Sequence, residues 1–235
     1  MRPVLLVAAN FLREQRWLTV ILVLYALGMA VVFGASGKVS AEDAAFFLRQ
    51  QSLYAPLFTL FLAVSALHNE RKSRRILAVL SKALTRRRYL AGLLVGILAV
   101  LGCYCLAIGF SGAWLVRRAQ SGPEQLWVVL AVTATATVVV AAVGLFFSTF
   151  LAPILATAAT ALTVALPAAL GQALGRAWGN LVPVYPLLMQ VAEGRLARHS
   201  LALWPPLAIA VVEALLFWAL ASWIFAHRDI TTAVE

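Results

Sequence analysis

The most constraining feature of this sequence is a series of long apolar runs, each long enough to cross a membrane as a helix. A helix needs about 20 apolar residues, in a range of roughly 17–25, to span the hydrocarbon core of a bilayer. Six runs reach that length, over residues 17–35, 53–69, 89–115, 125–148, 152–174 and 203–226. Because a chain in lipid must pair its backbone polar groups internally, each run is expected to be an α-helix. The sequence therefore predicts an all-α polytopic membrane protein with six transmembrane helices, forming a single domain over residues 1–235.

The composition agrees with a membrane location. Hydrophobic residues make up 63% of the chain and charged residues 12%, against roughly 45–50% and 25% in an ordinary globular domain. A net charge of +10 is also typical of proteins that bind nucleic acid. Here, however, the basic residues cluster at the ends of the apolar runs and form no soluble basic face. We therefore expect contact with membrane lipid and none with nucleic acid.

The distribution of charge predicts the orientation. An even number of spans places both ends of the chain on one side of the membrane. If that side also holds the loop between the second and third spans, it carries twelve of the nineteen Lys and Arg residues, against seven on the other side. Since basic residues concentrate in cytoplasmic loops, both termini are expected in the cytoplasm.

Two segments outside the spans are apolar but unsuited to crossing the membrane. Residues 1–16 form a short apolar piece with basic residues, and we expect an interfacial elbow helix there. Residues 174–202, ahead of span six, remain apolar although glycines and prolines interrupt them. Such a segment is too broken to span and too apolar for a solvated loop. We expect a re-entrant segment that dips into the outer side of the membrane and returns.

The loop between spans two and three, residues 70–88, is the most basic part of the chain. It contains eight of the nineteen Lys and Arg residues. At about 100° per residue, a helix over residues 73–85 would separate apolar from basic side chains. The apolar face would hold Ile76, Leu77, Val79, Leu80 and Leu84, and the opposite face Arg74, Arg75 and Lys82. We expect this helix to lie along the membrane surface, either docked on a partner or anchored to anionic lipid.

No catalytic or metal-binding site is expected in this chain. The segment Gly34–Lys38 superficially resembles a phosphate-binding loop. It lacks the Gly that such a loop has five residues before the Gly of the Gly-Lys pair, and the Ser or Thr after the Lys, since Val32 and Val39 stand there. The three histidines lie at or outside the span ends, where no pair of them is placed to hold a haem in the membrane. Cys103 and Cys105 point about 200° apart on a helix, so they cannot bridge each other. We expect neither enzymatic activity nor a bound cofactor.

Few polar groups occur within the predicted spans. Glu213 is the only charged residue deep in a span. It is expected to be protonated or hydrogen-bonded to a neighbouring helix, or else to act in substrate passage or gating. Span five carries a mildly polar edge of three hydroxyls, Thr157, Thr160 and Thr163. In span three, Gly92 and Gly96 permit close helix approach, and both features fit either packing within one subunit or a dimer interface or translocation path.

The basic loop and its flanks resemble those of permease subunits of ABC-2 type ATP-binding cassette transporters. In that family the second loop opens with an acidic and a basic residue, then contains an apolar stretch ending in a pattern such as Leu-Ser-Lys-Pro-Val-Ser-Arg. Here Glu70 and Arg71 open the loop, and residues 79–86 read Val-Leu-Ser-Lys-Ala-Leu-Thr-Arg. Ala83 and Leu93 stand where the family usually has Pro and Lys. The six-span layout extends the resemblance over nearly the whole chain.

The resemblance implies a membrane subunit that supplies no chemistry of its own. A second permease subunit, identical or different, would pair with it in a bacterial plasma membrane. A separate ABC ATPase that binds ATP and Mg would dock beneath each subunit, and the helix over residues 73–85 would be the coupling helix of an exporter. The docking residues that the resemblance implies are Glu70, Arg71, Arg74, Arg75, Leu80, Ser81, Lys82, Leu84 and Arg86.

Two other classes of membrane protein are alternatives. An ATPase-coupled membrane anchor would transmit ATP hydrolysis to an outer partner protein, although the outer segments here are short. An ATP-independent channel or secondary carrier would normally bury several ionisable groups along its pathway, whereas the predicted spans bury one. An apolar interior with one carboxylate and a few hydroxyls is compatible with lipid-like or amphipathic cargo.

Overall fold

The computed structural model describes residues 2–35, 37–72, 85–174, 187–188 and 204–227. Within these ranges the chain forms seven long helices and no strand. The helices are α1 (Arg2–Glu14), α2 (Arg16–Gly34), α3 (Ala41–Lys72), α4 (Arg86–Arg118), α5 (Glu124–Ser148), α6 (Pro153–Leu174) and α7 (Trp204–His227). Nearly all of the predicted coupling helix and most of the predicted re-entrant segment lie outside the described residues.

Five of these helices, α2, α3, α4, α5 and α7, are long and apolar enough to cross a membrane. The described part of the chain is therefore that of an all-helical multi-pass membrane protein, as the sequence predicts. α6 has 22 residues, and its part Pro153–Leu166 is an apolar helix. The sixth span remains a prediction.

The largest departure from the predicted spans is the start of α3. The apolar run begins at residue 53, whereas α3 begins at Ala41. Ser40 and Asp43 cap the helix reciprocally: the Asp43 N–H donates to Ser40 Oγ at 3.1 Å, and the Ser40 N–H donates to Asp43 Oδ2 at 2.9 Å. Such a capping box satisfies backbone donors that a helix start leaves unpaired. It begins the helix ahead of polar residues that hydropathy alone assigns to a loop.

The predicted elbow segment is a helix, and α1 packs along the first half of α4. Two glycines of α4 make this contact possible. A Cβ at Gly92 would lie 2.6 Å from Val7 Cβ, and a Cβ at Gly96 would lie 2.9 Å from Phe11 Cδ1. Because glycine has no side chain, α1 can approach α4 closely at both positions. The glycine pair of span three thus serves packing within one subunit.

The carboxyl ends of α2 and α4 are tied together. A Cβ at Gly34 would overlap the ring of Trp114, so α2 also approaches α4 closely. Arg118 Nη1 donates to the Gly34 carbonyl oxygen at 2.8 Å, and the Arg118 guanidinium carbon lies 5.1 Å from the centroid of the Trp114 ring. Contacts of α1 and α2 therefore occur near both ends of α4, and these helices run in the same direction as α4.

Removing the Arg118 guanidinium is expected to loosen this end of the bundle. Arg118→Met keeps an apolar stem but loses the hydrogen bond to Gly34 and the cation–π contact with Trp114, together worth about 1 kcal/mol of unfolding free energy. Arg117→Met is the matched control, because Arg117 is the exposed neighbour. Thermal unfolding in detergent should give a lower Tm for the Arg118 variant only. Equal Tm values would show that the contact contributes nothing.

Helices α3, α4 and α5 form the centre of the bundle. α3 and α4 run antiparallel, with Leu48 beside Gly112 and Gln51 beside Tyr104. α5 turns back from α4 and packs along α3. Most of the largest fully buried side chains lie on α3 and α4, and one lies on α7. They are Phe47, Leu48, Leu67, Tyr89, Leu90, Leu93, Ile97, Leu101, Tyr104, Ile108 and Phe225.

Helices α2, α6 and α7 lie at the periphery and expose large apolar side chains along much of their length. Examples are Ile21 and Leu24 of α2, Ile154 and Leu162 of α6, and Leu215 and Trp223 of α7. An exposed apolar surface of this extent is unusual for a protein in water. It is the surface that helices present to lipid or to another membrane helix.

Different helix ends and turns lie at the two ends of the bundle. We call one the basic end; it holds the last turn of α3, the first turn of α4, the α5–α6 turn and the last turn of α7. Arg86 of α4 and Ala226 of α7 meet there. The opposite end holds the last turns of α2 and α4 and the first turns of α3 and α5. The chain between α3 and α4 therefore leaves the basic end and returns to it.

Candidate functional site

The predicted docking segment is joined to the bundle at the basic end. Glu70, in the last turn of α3, is buried with 7% of its surface exposed, and Arg71 follows it in the same helix. Six further predicted docking residues lie outside the described part of the chain: Arg74, Arg75, Leu80, Ser81, Lys82 and Leu84. Arg86 begins α4, and its Nη1 donates to the Ala226 carbonyl oxygen at 3.3 Å. Arg86 therefore connects the segment to the carboxyl end of α7.

The α5–α6 turn lies at the basic end and is short. α5 ends at Ser148 and α6 begins at Pro153. Four aromatic side chains pack against one another at this turn: Phe146, Phe147, Phe150 and Phe217. Their ring centroids lie between 5.0 Å and 5.8 Å apart in inclined arrangements that stabilise aromatic pairs. The basic end therefore includes a well-packed turn.

The hydroxyls of the three threonines of the predicted polar edge form hydrogen bonds within their own helix. The hydroxyls of Thr157, Thr160 and Thr163 each donate to the carbonyl oxygen four residues earlier, at 2.9 Å, 2.7 Å and 2.8 Å. Thr160 is buried, near Gly144 of α5, and the other two are half-buried. A hydroxyl that is bonded to its own helix presents little unpaired polarity to a neighbour.

Glu213 lies half-buried in the middle of α7. Its Oε2 atom is buried and has no hydrogen-bond partner among the described residues. α7 packs mainly on α5 and more sparsely on α4. An ionised carboxylate without a partner is costly in an apolar setting, so Glu213 is expected to hold its proton there.

A further polar cluster lies where α2, α3 and α4 meet, at residues that the sequence pattern did not single out. We call it the Gln51 cluster, and its members are Tyr25, Gln50, Gln51, Tyr54, Phe58 and Tyr104. Tyr25 belongs to α2, Tyr104 belongs to α4, and the other four belong to α3. Gln51 is ten residues beyond Ala41, which places it about 15 Å along α3 at 1.5 Å per residue. The cluster thus lies well inside the bundle.

Aromatic rings bridge α2 and α3 in this cluster. The Tyr25 centroid lies 6.0 Å from that of Tyr54 and 6.4 Å from that of Phe58. The Phe58 centroid lies 5.7 Å from that of Tyr104, which is fully buried. α2 and α3 both pack on α4 but contact each other little. The rings of Tyr25, Tyr54 and Phe58 therefore fill the contact between α2 and α3, and the Phe58 ring packs against Tyr104 of α4.

The two adjacent glutamines of this cluster each have one buried amide atom without a hydrogen-bond partner among the described residues. The Tyr104 hydroxyl donates to Gln51 Oε1, and Gln50 Nε2 donates to the Tyr54 hydroxyl at 3.4 Å. Gln51 is fully buried, yet its Nε2 has no hydrogen-bond partner among the described residues, and neither has the buried Oε1 of Gln50. A buried polar group without a partner costs roughly 1–3 kcal/mol. The cluster thus holds one unpaired donor and one unpaired acceptor.

Pro56 adds a backbone acceptor at the same level of α3. Proline has no N–H, so the Ser52 carbonyl cannot receive the usual helical hydrogen bond from residue 56. Both Ser52 and Pro56 are buried. The Ser52 hydroxyl donates to the Leu48 carbonyl oxygen at 2.7 Å and so does not restore that bond. The helix beside Gln51 is therefore richer in acceptors than in donors.

The hydropathy pattern misses this cluster because it places Gln50 and Gln51 in a loop before span two. A signal was nevertheless present in the sequence. Ser40 and Asp43 have the spacing of a capping box, which predicts a helix start ahead of the apolar run. On such a helix Gln51 and residues three and seven positions later share one face. The partners from α2 and α4 depend on tertiary packing and have no local signal.

No protein-family model matches the chain, and no curated protein sequence matches it significantly. Within the described residues there is no group of three or more His, Cys, Asp or Glu side chains that could hold a metal ion. Polar groups inside the described bundle include the Gln51 cluster and Glu213.

Proposed function

We propose that this chain is the membrane-spanning permease subunit of an ABC transporter, and that a separate ATPase subunit drives export through it. The observation that carries this proposal is the basic amphipathic segment over residues 70–88, which resembles the coupling segment of ABC-2 permeases. It is supported by the all-helical multi-pass bundle, whose antiparallel α3 and α4 hold both ends of that segment at the basic end.

The proposed coupling begins at the docking segment. Arg74 and Arg75 pair with acidic groups of the ATPase, while Leu80 anchors the helix through its apolar face. Complementary charges of this kind set the orientation and the association rate of a complex. When the ATPase closes on ATP, the segment moves and carries α3 through Glu70 and α4 through Arg86. Because Arg86 also bonds to Ala226, the movement extends to α7.

The proposal includes an orientation and an assembly. The basic end faces the cytoplasm of a bacterial cell, together with both chain termini, because it adjoins the most basic loop. Six spans cross the plasma membrane. Two permease subunits pair through exposed apolar helices, and ATP and Mg bind only to the ATPase subunits.

An ATPase encoded beside this chain is expected to co-purify with it from a mild detergent. Replacing Arg74 and Arg75 together by Glu should reduce the retained ATPase by more than about tenfold, because like charges facing each other across an interface cost several kcal/mol. The measurement is the ratio of ATPase to tagged chain after affinity purification, with and without nucleotide.

The matched control changes the charge by the same amount at the opposite end. Lys38 and Arg117 are exposed there, and their replacement by Glu should leave the retained ATPase unchanged. The proposal is wrong if the native chain retains no such ATPase under any nucleotide condition. It is also wrong if charge reversal at Lys38 and Arg117 lowers the retained ATPase as much as charge reversal at Arg74 and Arg75 does.

A further inference from the structure

We propose that the junction of α1 and α2 binds anionic phospholipids of the membrane. Arg13 and Arg16 hold the headgroup phosphate, and exposed apolar side chains of both helices contact the acyl chains. We call this region the junction surface, and its members are Leu5, Leu6, Arg13, Arg16, Trp17 and Ile21. The inference goes beyond the proposed function, because it concerns a lipid that the chain binds without any ATPase.

The two arginines and the indole lie on one outward face. Gln15, which separates α1 from α2, keeps the helical pattern: its N–H and its carbonyl oxygen bond to the residues four positions before and after it, at 2.9 Å and 2.8 Å. Residues three and four apart on a helix are neighbours, so Arg16 and Trp17 lie beside Arg13. All three side chains are exposed, and Trp17 is 68% exposed. A headgroup can therefore reach both guanidinium groups.

Apolar side chains continue this face on both sides of the arginines. On α1, Leu5 and Leu6 are exposed, whereas Phe11 packs on α4. On α2, Ile21 and Leu24 are exposed. Arginine side chains can lay their apolar stems along such a surface while the charged group remains at the polar boundary. The junction surface thus has the cationic centre and apolar flanks that suit a phospholipid.

Tryptophans place the junction at a boundary of the hydrocarbon layer. Trp17 lies 17 residues before Gly34, which packs against Trp114, and this is about 26 Å along α2. On α7 the exposed Trp204 and Trp223 are 19 residues apart, or about 28 Å. Both lengths are close to the roughly 30 Å of the hydrocarbon core, and tryptophan is enriched at its two interfaces. The two arginines therefore lie at the level of the headgroups.

The charge of the junction favours an anionic headgroup. Residues 1–24 carry three arginines and one carboxylate, Glu14. Glu14 is about 100° around the helix from Arg13, away from the shared face. The Arg16 guanidinium carbon lies 5.6 Å from the centroid of the Trp17 ring, a cation–π contact that orients this side chain. A guanidinium presents five N–H donors in a geometry that matches phosphate.

The test uses the purified full chain in nanodiscs of phosphatidylcholine, without an ATPase. Two photoreactive lipids with the same diazirine-bearing acyl chain, a phosphatidylglycerol and a phosphatidylcholine, are added separately at the same low mole fraction. Mass spectrometry of peptides measures the labelling of residues 2–24 and of Pro153–Leu166 in α6. The α6 segment is the internal control, because it exposes apolar side chains such as Ile154 and Leu162 while residues 125–175 contain no charged side chain.

We expect residues 2–24 to be labelled at least about fivefold more by the phosphatidylglycerol probe than by the phosphatidylcholine probe, since each basic residue near a membrane surface strengthens the attraction of anionic lipid by about fivefold. The α6 segment should be labelled equally by both. Replacing Arg13 and Arg16 together by Gln should reduce the preference at residues 2–24 to that of α6. Unchanged labelling of α6 shows that the variant remains folded.

The matched control replaces Lys38 and Arg117, which are exposed at the opposite end, by Gln. It removes the same charge from the chain and should leave the preference at residues 2–24 unchanged. An equal preference at residues 2–24 and α6 in the native chain would overturn the inference, and so would a preference that survives the loss of both junction arginines.

The other occupant that this surface could accept is a protein. If residues 2–24 show no headgroup preference, and the Gln variant of Arg13 and Arg16 lowers the ATPase retained on purification, the surface docks the ATPase and the lipid inference is wrong. Because the nanodiscs contain no ATPase, a headgroup preference supports the junction surface even if no ATPase co-purifies and the transporter proposal fails.

Discussion

Alanine at Gly92 is expected to lower the unfolding free energy by roughly 1–3 kcal/mol, the usual cost of inserting an atom into a well-packed contact. The added Cβ would lie 2.6 Å from Val7 Cβ and 3.0 Å from the Val4 carbonyl oxygen. A backbone oxygen cannot move aside without shifting α1. Alanine at Gly96, where Phe11 is the neighbour, should have a similar effect. The measurement is thermal or denaturant unfolding of the purified chain in detergent.

The same helix supplies the control for this prediction. A Cβ at Gly102 of α4 would meet nothing within 4 Å. Gly102→Ala should therefore be neutral or stabilise the helix by up to about 1 kcal/mol, since alanine is the better helix former. Proteolysis should release the first residues faster in Gly92→Ala than in Gly102→Ala. If the two variants unfold alike, α1 does not pack on α4 as described.

The second large effect on the unfolding free energy is expected from removing the hydrogen bond between Tyr104 and Gln51. Gln51→Leu leaves the Tyr104 hydroxyl buried without its acceptor, and we expect a loss of roughly 1–3 kcal/mol. Tyr104→Phe removes the donor and leaves the Gln51 amide unpaired at both ends, with a similar cost. The double variant removes both polar groups and should lose less stability than the sum of the two single losses, by about 0.6–1.7 kcal/mol, because no polar group is then left without its partner.

The coupling energy between the two positions is the quantity to measure. Double-mutant cycles on hydrogen bonds between membrane helices give a coupling energy of about 0.6 kcal/mol on average and about 1.7 kcal/mol at most. A double variant that loses less stability than the sum of the two single losses would support the contact. Strictly additive losses would show that Gln51 and Tyr104 do not interact.

The apolar runs predicted most of the helices and, except for the start of α3, their limits. α4 and α5 begin and end within about three residues of the predicted spans. α3 is the exception, because hydropathy measures only how apolar a residue is, whereas a helix start depends on capping. Ser40 and Asp43 supply the cap, and the buried Phe47 and Leu48 hold the polar turns against the bundle.

The sequence allowed two interpretations of Gly92 and Gly96, and tertiary contacts distinguish them. The spacing alone permits close helix approach but does not identify the helix that approaches. The structure places α1 there. A short amphipathic helix beside a glycine pair within the same chain is a pairing that no local pattern encodes.

The Gln51 cluster was the least predictable part of the protein. Tyr25, Gln51 and Tyr104 lie far apart in the sequence on three helices, so their meeting depends on how α2 and α3 pack on α4. In contrast, the basic loop was evident from its charge and periodicity. The ends of α3 and α4 that it connects lie at one end of the bundle. A sequence pattern predicts a feature that belongs to a single helix or loop. It predicts poorly a cluster whose residues come from several helices.

The central claim, that an ATPase docks on the basic loop, is tested most directly by cross-linking in intact cells. A photoreactive benzoylphenylalanine at position 81 replaces a serine in the middle of the proposed coupling helix, and the same residue at position 122 replaces a glycine at the opposite end. We predict that only the chain with the probe at position 81 is cross-linked to a protein that mass spectrometry identifies as an ABC ATPase. Cross-links at position 81 to lipid alone, or to no ATPase in any metabolic state, would contradict the account.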